Sequence, residues 1–248
     1  MEAKSGKTAE ARPPELIWDR MIQQNREPRQ ALSREQIVRV ALDIADSEGL
    51  QAVSMRRIAA KLGTTAMSLY RHVSDKEDLL DLLVDEVYGE TELPERPSSD
   101  WRADLRLFAR RTRTVLLRHT WFASVAATRP PLGPNALRHL EFSLSVIDGL
   151  GPDIGRLAGV LAAINSYVMG FVLGELAEEE TRRRGGLSEE QWRATVGPYV
   201  ERVVASGRYP TFNRFVTEAG DLNGTENFEF GLDCLLDGIA ARLHTPGA

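Results

Sequence analysis

The residues of this chain best equipped for chemistry lie between Ser54 and Lys76, in the run "SMRRIAAKLGTTAMSLYRHVSDK". Hydroxyls at Ser54, Thr65, Ser68 and Tyr70, guanidiniums at Arg56 and Arg71, the His72 imidazole and the Lys76 ammonium flank Gly63. Of these, Ser54, Arg56, Tyr70, His72 and Lys76 suit the phosphate oxygens of a nucleic acid, which fix position without reading sequence. Ala66 and Met67 stand among them. A small or flexible apolar side chain contacts a thymine methyl, and an arginine reads guanine through two hydrogen bonds. Phosphate anchors around a few base-facing residues are what a reader of double-stranded DNA needs.

The elements that must position these groups are helices. Ser33 with Gln36 forms a capping box, and Ile37, Val40, Ala41, Ile44 and Ala45 recur at three- and four-residue steps before Gly49, which predicts a helix over 34–48. Ser54 caps a second, short helix with Ile58, Ala59 and Leu62 turned inward, and Gly63 supplies the turn. Thr65 caps a third with Leu69 and Val73 inward, leaving Ala66, Met67, Ser68, Tyr70 and Arg71 outward. Two short helices joined at a glycine and held by a longer one make a helix-turn-helix unit. Ser74 with Glu77 offers a further capping box for a fourth helix, from Asp75 to about Tyr88. The prolines of "LPERPSS" at 93–99 then mark a domain boundary.

Residues 1–30 read as a flexible polar arm in which only "ELIWDRMI" is apolar, and their arginines 12, 20, 26 and 29 offer further phosphate contacts. Residues 31–90 form the helix-turn-helix domain and 100–245 a larger helical bundle, so the expected fold is all-α. Helical periodicity predicts elements at about 101–118, 121–127, 134–149, 153–180, 188–206 and 225–243, punctuated at "TRPPLGPN", "GLGP", "RRRGGLS" and "SGRYP".

Composition narrows the function classes. The net charge is −5, yet residues 29–76 carry eight Arg/Lys against five Asp/Glu, so this segment is +3 and the remainder −8. A basic segment on an acidic body orients a protein on a polyanion. Cys234 is the single cysteine, which leaves no internal disulfide, and no cluster has zinc-ligand spacing. An all-helical enzyme would need a nucleophile with its base, a metal cluster or a cofactor loop. None is visible: His119, His139 and His244 stand isolated, and "GPDIG" lacks phosphate-loop spacing. The N-terminus lacks a secretory signal and no apolar run is expected to approach the ~18–20 residues of a membrane span, so a cytoplasmic protein with no membrane partner, metal or cofactor is expected.

Residues 32–87 resemble the N-terminal DNA-binding domain of the tetracycline-repressor (TetR) family of bacterial transcription regulators. The match runs through "A…EGL", "S-x-R-x-I-A-x-x-L-G", "S-L-Y-x-H-V" and "K-x-x-L-L". The resemblance implies groove and phosphate contacts at Ser54, Arg56, Thr65, Ala66, Met67, Ser68, Tyr70, Arg71, His72 and Lys76. Position 55 departs, being Met where the family often has Thr, and His72 is open to a packing role.

The second domain is similar to the tetracycline-repressor branch through "TRP" at 128–130, "MGFVLGE" at 169–175 and "FEFGLDCLLDGI" at 228–239. That likeness implies a ligand-binding bundle that dimerises through its long helix and its last helix. The expected function is therefore a homodimeric, ligand-responsive repressor on an inverted-repeat operator, with an activator or a ligand-independent DNA-binding protein as alternatives. The branch's metal-ligating histidine before "TRP" is missing here, and Phe108 and Thr112 replace an amide and an aromatic ring, which argues against tetracycline as effector. An aromatic-lined pocket drawing on Phe108, Thr112, Trp121, Phe122, Arg129, Phe142, Ser166 and Phe171 is expected for an apolar, partly polar ligand.

Overall fold

The structure is a computed structural model and describes residues 16–18, 21, 32–150, 153–185, 189–219 and 224–243. Every regular element among the described residues is helical. Within the N-terminal arm, Ile17 is buried in the core with Trp18 and Met21 packed against it, so the arm carries an apolar anchor. Arg12, Arg20, Arg26 and Arg29 lie outside the described residues, as does His244.

The head is built by local capping. Helix α1, Arg34–Glu48, opens at Ser33, whose hydroxyl accepts from the Gln36 N–H at 3.2 Å while Gln36 Oε1 accepts from the Ser33 N–H at 2.9 Å. It closes at Gly49, where φ is +85°, a backbone state that side chains rarely adopt. A single 3₁₀ turn, Leu50–Ala52, leads to α2, Met55–Lys61, and α3, Ala66–Leu69, follows the turn at Gly63, where φ is +64°. Ile37, Ala41, Ile44, Ile58, Leu69 and Val73 close this small core.

Helix α4, Lys76–Gly89, starts from a different cap than the Ser74–Glu77 box predicts. Asp75 is the N-cap and accepts from the Asp78 N–H at 2.9 Å, while Asp78 accepts from the Ser74 N–H at 3.1 Å. A carboxylate at a helix N-terminus gains from the dipole as well as the hydrogen bond, so Asp75 prevails over the Ser74 hydroxyl.

The body contains α5, Trp101–Arg118; α6, Phe122–Ala126; α7, Pro134–Ile147; α8, Ile154–Gly185; α9, Glu189–Ala205; α10, Pro210–Glu218; and α11, Gly224–Leu243. Asp100 starts α5 by accepting from the N–H groups of Arg102 and Ala103. Along its length α5 pairs Arg102, Arg106 and Arg110 with Asp237, Asp233 and Glu229 of α11, two antiparallel rows of four-residue spacing that fix the register of the two helices.

Two features differ from the sequence reading. Residues 210–218 form a helix where only a break was expected, because Pro210 occupies its first turn, the position at which proline favours a helix start. The other is α8. Its uncharged run from Leu157 to Gly174 is eighteen residues, and Ile154–Thr181 is long and apolar enough by length and composition to cross a membrane, which corrects the expectation that no such run exists. In the fold α8 is a bundle helix: Leu157, Leu161, Ile164, Val168 and Val172 are buried on one face, packed with α5, α7 and α11. Val160, Tyr167, Met169, Phe171 and Leu176 are partly buried beside that face, while Ile154 and Leu173 are exposed, as Phe230 is on α11.

Candidate nucleic-acid interface and effector site

The reading head presents its side chains through two caps. Ser54 Oγ accepts from the Arg57 N–H at 3.3 Å, and Thr65 Oγ1 accepts from the Ser68 N–H at 3.3 Å while lying 3.0 Å from Ser68 Oγ. These bonds fix the starts of α2 and α3 and leave both N-termini facing outward, where a phosphate gains from the unpaired N–H groups and the dipole. Arg57 and Lys61 are drawn back to Glu48, whereas Arg56, Arg71 and Lys76 are exposed and make no ion pair among the described residues.

Between those cations Met67 is 75% exposed and Tyr70 48% exposed. Large apolar side chains left in water beside unneutralised cations mark a contact surface rather than a solvated one. Ala66 and Ser68, expected outward, are half-buried, Ala66 packing against the core, because α3 is a single turn lying close on its neighbours. Met55 is buried in the core, so the family's hydroxyl at that position is replaced by packing. His72 is half-buried and its carbonyl accepts from Arg34 Nε at 3.2 Å. Burial, with Arg34 and Arg71 nearby, holds its imidazole below the ordinary range against a smaller pull from Glu35.

In the body, three of the expected pocket residues come together around two that the sequence reading passed over. The His139 ring lies 4.7 Å from Phe108 and 5.1 Å from Tyr88, and Tyr88 meets Phe122 edge-on at 5.3 Å. Thr112 Oγ1 is 3.4 Å from His139 Nε2. His139 is thus not isolated. His139 stands three residues before Phe142 and four before Ser143 on α7, and the signal that could have found it is a ring with polar nitrogens on the buried face of that helix. Burial alone pushes its pKa down to about 4, so no carboxylate nearby supports a cation there.

A pH prediction follows from that shift. The unfolded ring takes up a proton near its ordinary value while the folded ring resists it, so stability falls as pH drops from 6.5 towards about 4. The loss reaches about 3 kcal/mol at most. Urea unfolding across this range is expected to show it, and His139→Gln is expected to flatten the slope; an identical slope in the variant counts against the buried neutral ring.

The remaining expected pocket residues lie elsewhere. Phe142 is buried on α7. Phe171 belongs to a second aromatic group with Tyr167 and Phe228, above which Arg113 sits 5.0 Å from the Phe228 centroid while paired with Glu175. Ser166 is exposed on the outer face of α8. Arg129 reaches α4, pairing with Glu77 and Asp81, and Trp121 Nε1 donates to Asp46 of α1 at 2.8 Å. The last two therefore join the body to the head.

A second joint ties α4 to α7. Asp85 is buried, and its Oδ1 accepts from the N–H groups of Asn135 and Ala136 at 3.0 and 2.9 Å, capping α7 from across the domain boundary. Burial raises the Asp85 carboxyl, and the two backbone N–H bonds work against that rise.

Comparison with known proteins agrees with both halves. A family model described as bacterial regulatory proteins, tetR family, matches residues 37–83, and one described as tetracyclin repressor-like, C-terminal domain, matches residues 93–243. The HTH-type transcriptional repressor DrrR1 of Streptomyces coeruleorubidus is 41% identical over 95% of this chain and 87% of its own length. An HTH-type transcriptional regulator of Saccharopolyspora erythraea is 35% identical over 97% of this chain and 98% of its own. Among solved structures, ActR from Streptomyces coelicolor in complex with actinorhodin is similar with a TM-score of 0.69 at 30% identity, covering 87% of this chain and 100% of that one.

Proposed function

The chain belongs to the tetR family of bacterial regulatory proteins, and on that premise we propose that it is a cytoplasmic, homodimeric repressor whose two heads bind an inverted-repeat operator and let go when a small molecule enters the body. As a member of this family it is a transcriptional regulator and not an enzyme. The observation that carries the proposal is the exposed surface of α2 and α3, where Met67, Tyr70 and Arg71 stand between capped helix ends and cations without ion-pair partners among the described residues. Ser54, Thr65 and Ser68 offer hydroxyls to phosphates beside Arg56 and Lys76, His72 adds a neutral donor, and Ala66 lets the backbone come close. Pairing through the outer faces of α8 and α11 would cover Ile154, Leu173 and Phe230 and give the two heads the symmetry of a palindrome.

The effector site we propose is the ring cluster of Phe108 and Phe122 with Thr112, extended by Tyr88 and His139, with Phe142 buried on the helix that carries His139 and Trp121 beside Phe122. Phe171 and Ser166 would lie at the dimer side of that body. An aromatic site with a few neutral polar atoms takes a largely apolar ligand, and the ActR complex with actinorhodin is a small-molecule complex of a similar protein. Because α4 carries both Tyr88 and the ties to α7, a ligand that favours a displaced α4 lowers DNA affinity by its differential affinity for the two states.

Selection of random duplex DNA on the purified protein tests the reading. An inverted repeat is expected, with half-site centres about one helical turn, ~34–36 Å, or a multiple of it apart. The absence of any enriched motif at moderate salt would count against a DNA reader. Actinorhodin is a suitable first probe for release of the selected duplex.

A further inference from the structure

Asp46 lies in the last turn of α1, and it is the acceptor of two bonds from the body. Its Oδ1 is 2.8 Å from His119 Nδ1 and 2.8 Å from Trp121 Nε1. His119 follows the last residue of α5 and is 2% exposed. Its other nitrogen, Nε2, is 3.0 Å from Glu90 Oε2, at the end of α4, and the same oxygen accepts from Arg118 Nη1 at 2.7 Å. One buried ring therefore stands between the carboxylate that ends α1 and the carboxylate that ends α4, with Trp121 at the start of α6 sharing the first of them.

This arrangement is more than packing. A buried imidazole with a carboxylate at each ring nitrogen fixes the distance and angle between the two helix ends, because hydrogen bonds of this kind weaken steeply with misalignment. Burial pushes the Glu90 carboxyl up, and the bonds from His119 and Arg118 outweigh that push and hold it below its usual range. Trp121 also links the clasp to the proposed effector site: its ring lies 6.1 Å from Phe122, Phe122 5.3 Å from Tyr88, and Tyr88 5.1 Å from His139. Ring contacts thus run without a gap from the middle of the body to a hydrogen bond on α1.

We propose that Asp46, His119 and Trp121 are the positioning residues of the DNA-reading head, setting its angle on the body by holding the end of α1 against the end of α4. The angle is the quantity a dimeric reader must control, since a rotation of the head displaces its α3 along the groove. The proposal rests on the DNA-binding reading for its consequence, but the head's position can be measured without DNA, so the two fail separately.

The test uses the full chain with Cys234→Ser, spin labels at Ala60→Cys on α2 and Leu140→Cys on α7, both exposed positions, and labelled chains diluted with unlabelled ones. The protein with an intact clasp is expected to give one narrow head-to-body distance. Asp46→Asn and Trp121→Phe, the latter keeping an aromatic ring but losing the pyrrole part of the indole with its N–H donor, are expected to broaden or shift it. Unlabelled Asp46→Asn is expected to bind the selected operator about tenfold more weakly, the scale of one lost hydrogen bond to a charged group. Arg111→Ala, which breaks the exposed Arg111–Glu92 pair, serves as control and is expected to change neither. Unchanged distances and affinity in both clasp variants, whatever their melting temperatures, would overturn the proposal. If Asp46→Asn does not fold, Trp121→Phe decides alone.

Discussion

Gly133→Ala is expected to lower the melting temperature by about 10 °C, the scale of about 3 kcal/mol in a chain of this length. The residue precedes α7, and a Cβ there would lie 2.1 Å from Asp85 Oδ1 and 2.3 Å from its Cγ. Neither group can give way cheaply. Asp85 is buried and holds the first N–H groups of α7, so moving it strands a carboxylate and two backbone donors, and moving α7 opens its packing on α4. Hydrogen bonds to a charged acceptor are worth about 1.5–3 kcal/mol each, which makes the loss of two the dominant cost. The cycle with Asp85→Ala sharpens the test. Once the carboxylate is gone the added methyl has room, so the double variant is expected to be more stable than the sum of the single losses. Gly133→Ala melting with the unsubstituted protein, or strict additivity in the cycle, would show that α4 and α7 are not joined in this way.

Arg71→Ala combined with Tyr70→Ala is expected to reduce affinity for the selected operator at least about a hundredfold, with no loss of thermal stability. Both side chains are exposed, so the fold does not depend on them. Each contact to a base or phosphate is worth about 1–3 kcal/mol, and in a symmetric dimer each substitution is made twice. Salt titration separates the roles of the two residues. A phosphate contact at Arg71 reduces the slope of log affinity against log salt by about one per site, whereas a base contact lowers specific affinity and leaves nonspecific binding near its original level. Operator binding that survives both substitutions would remove α3 from the interface.

The caps, turns and inward residues of the head are legible in the letters of the sequence, though Ala66 and Ser68, expected outward, are half-buried. Ser33, Ser54 and Thr65 cap the helices they were expected to cap, Gly49 and Gly63 take the positive φ that ends or turns them, and Leu69 and Val73 point inward. These are interactions over three or four residues, encoded in the neighbouring letters. The competition between Ser74 and Asp75 at α4 was legible in kind but not in outcome, since two capable caps stand side by side.

The tertiary structure alone decided which distant groups meet. His119 and His139 look isolated along the chain, yet one lies between Asp46 and Glu90 and the other among Tyr88, Phe108 and Thr112. The need for glycine at 133 comes from a carboxylate on another helix, and Arg129 is occupied by α4. Periodicity names the face a residue occupies. Which element covers that face depends on how α4, α5 and α7 pack, and only that packing brings into contact groups separated by tens of residues.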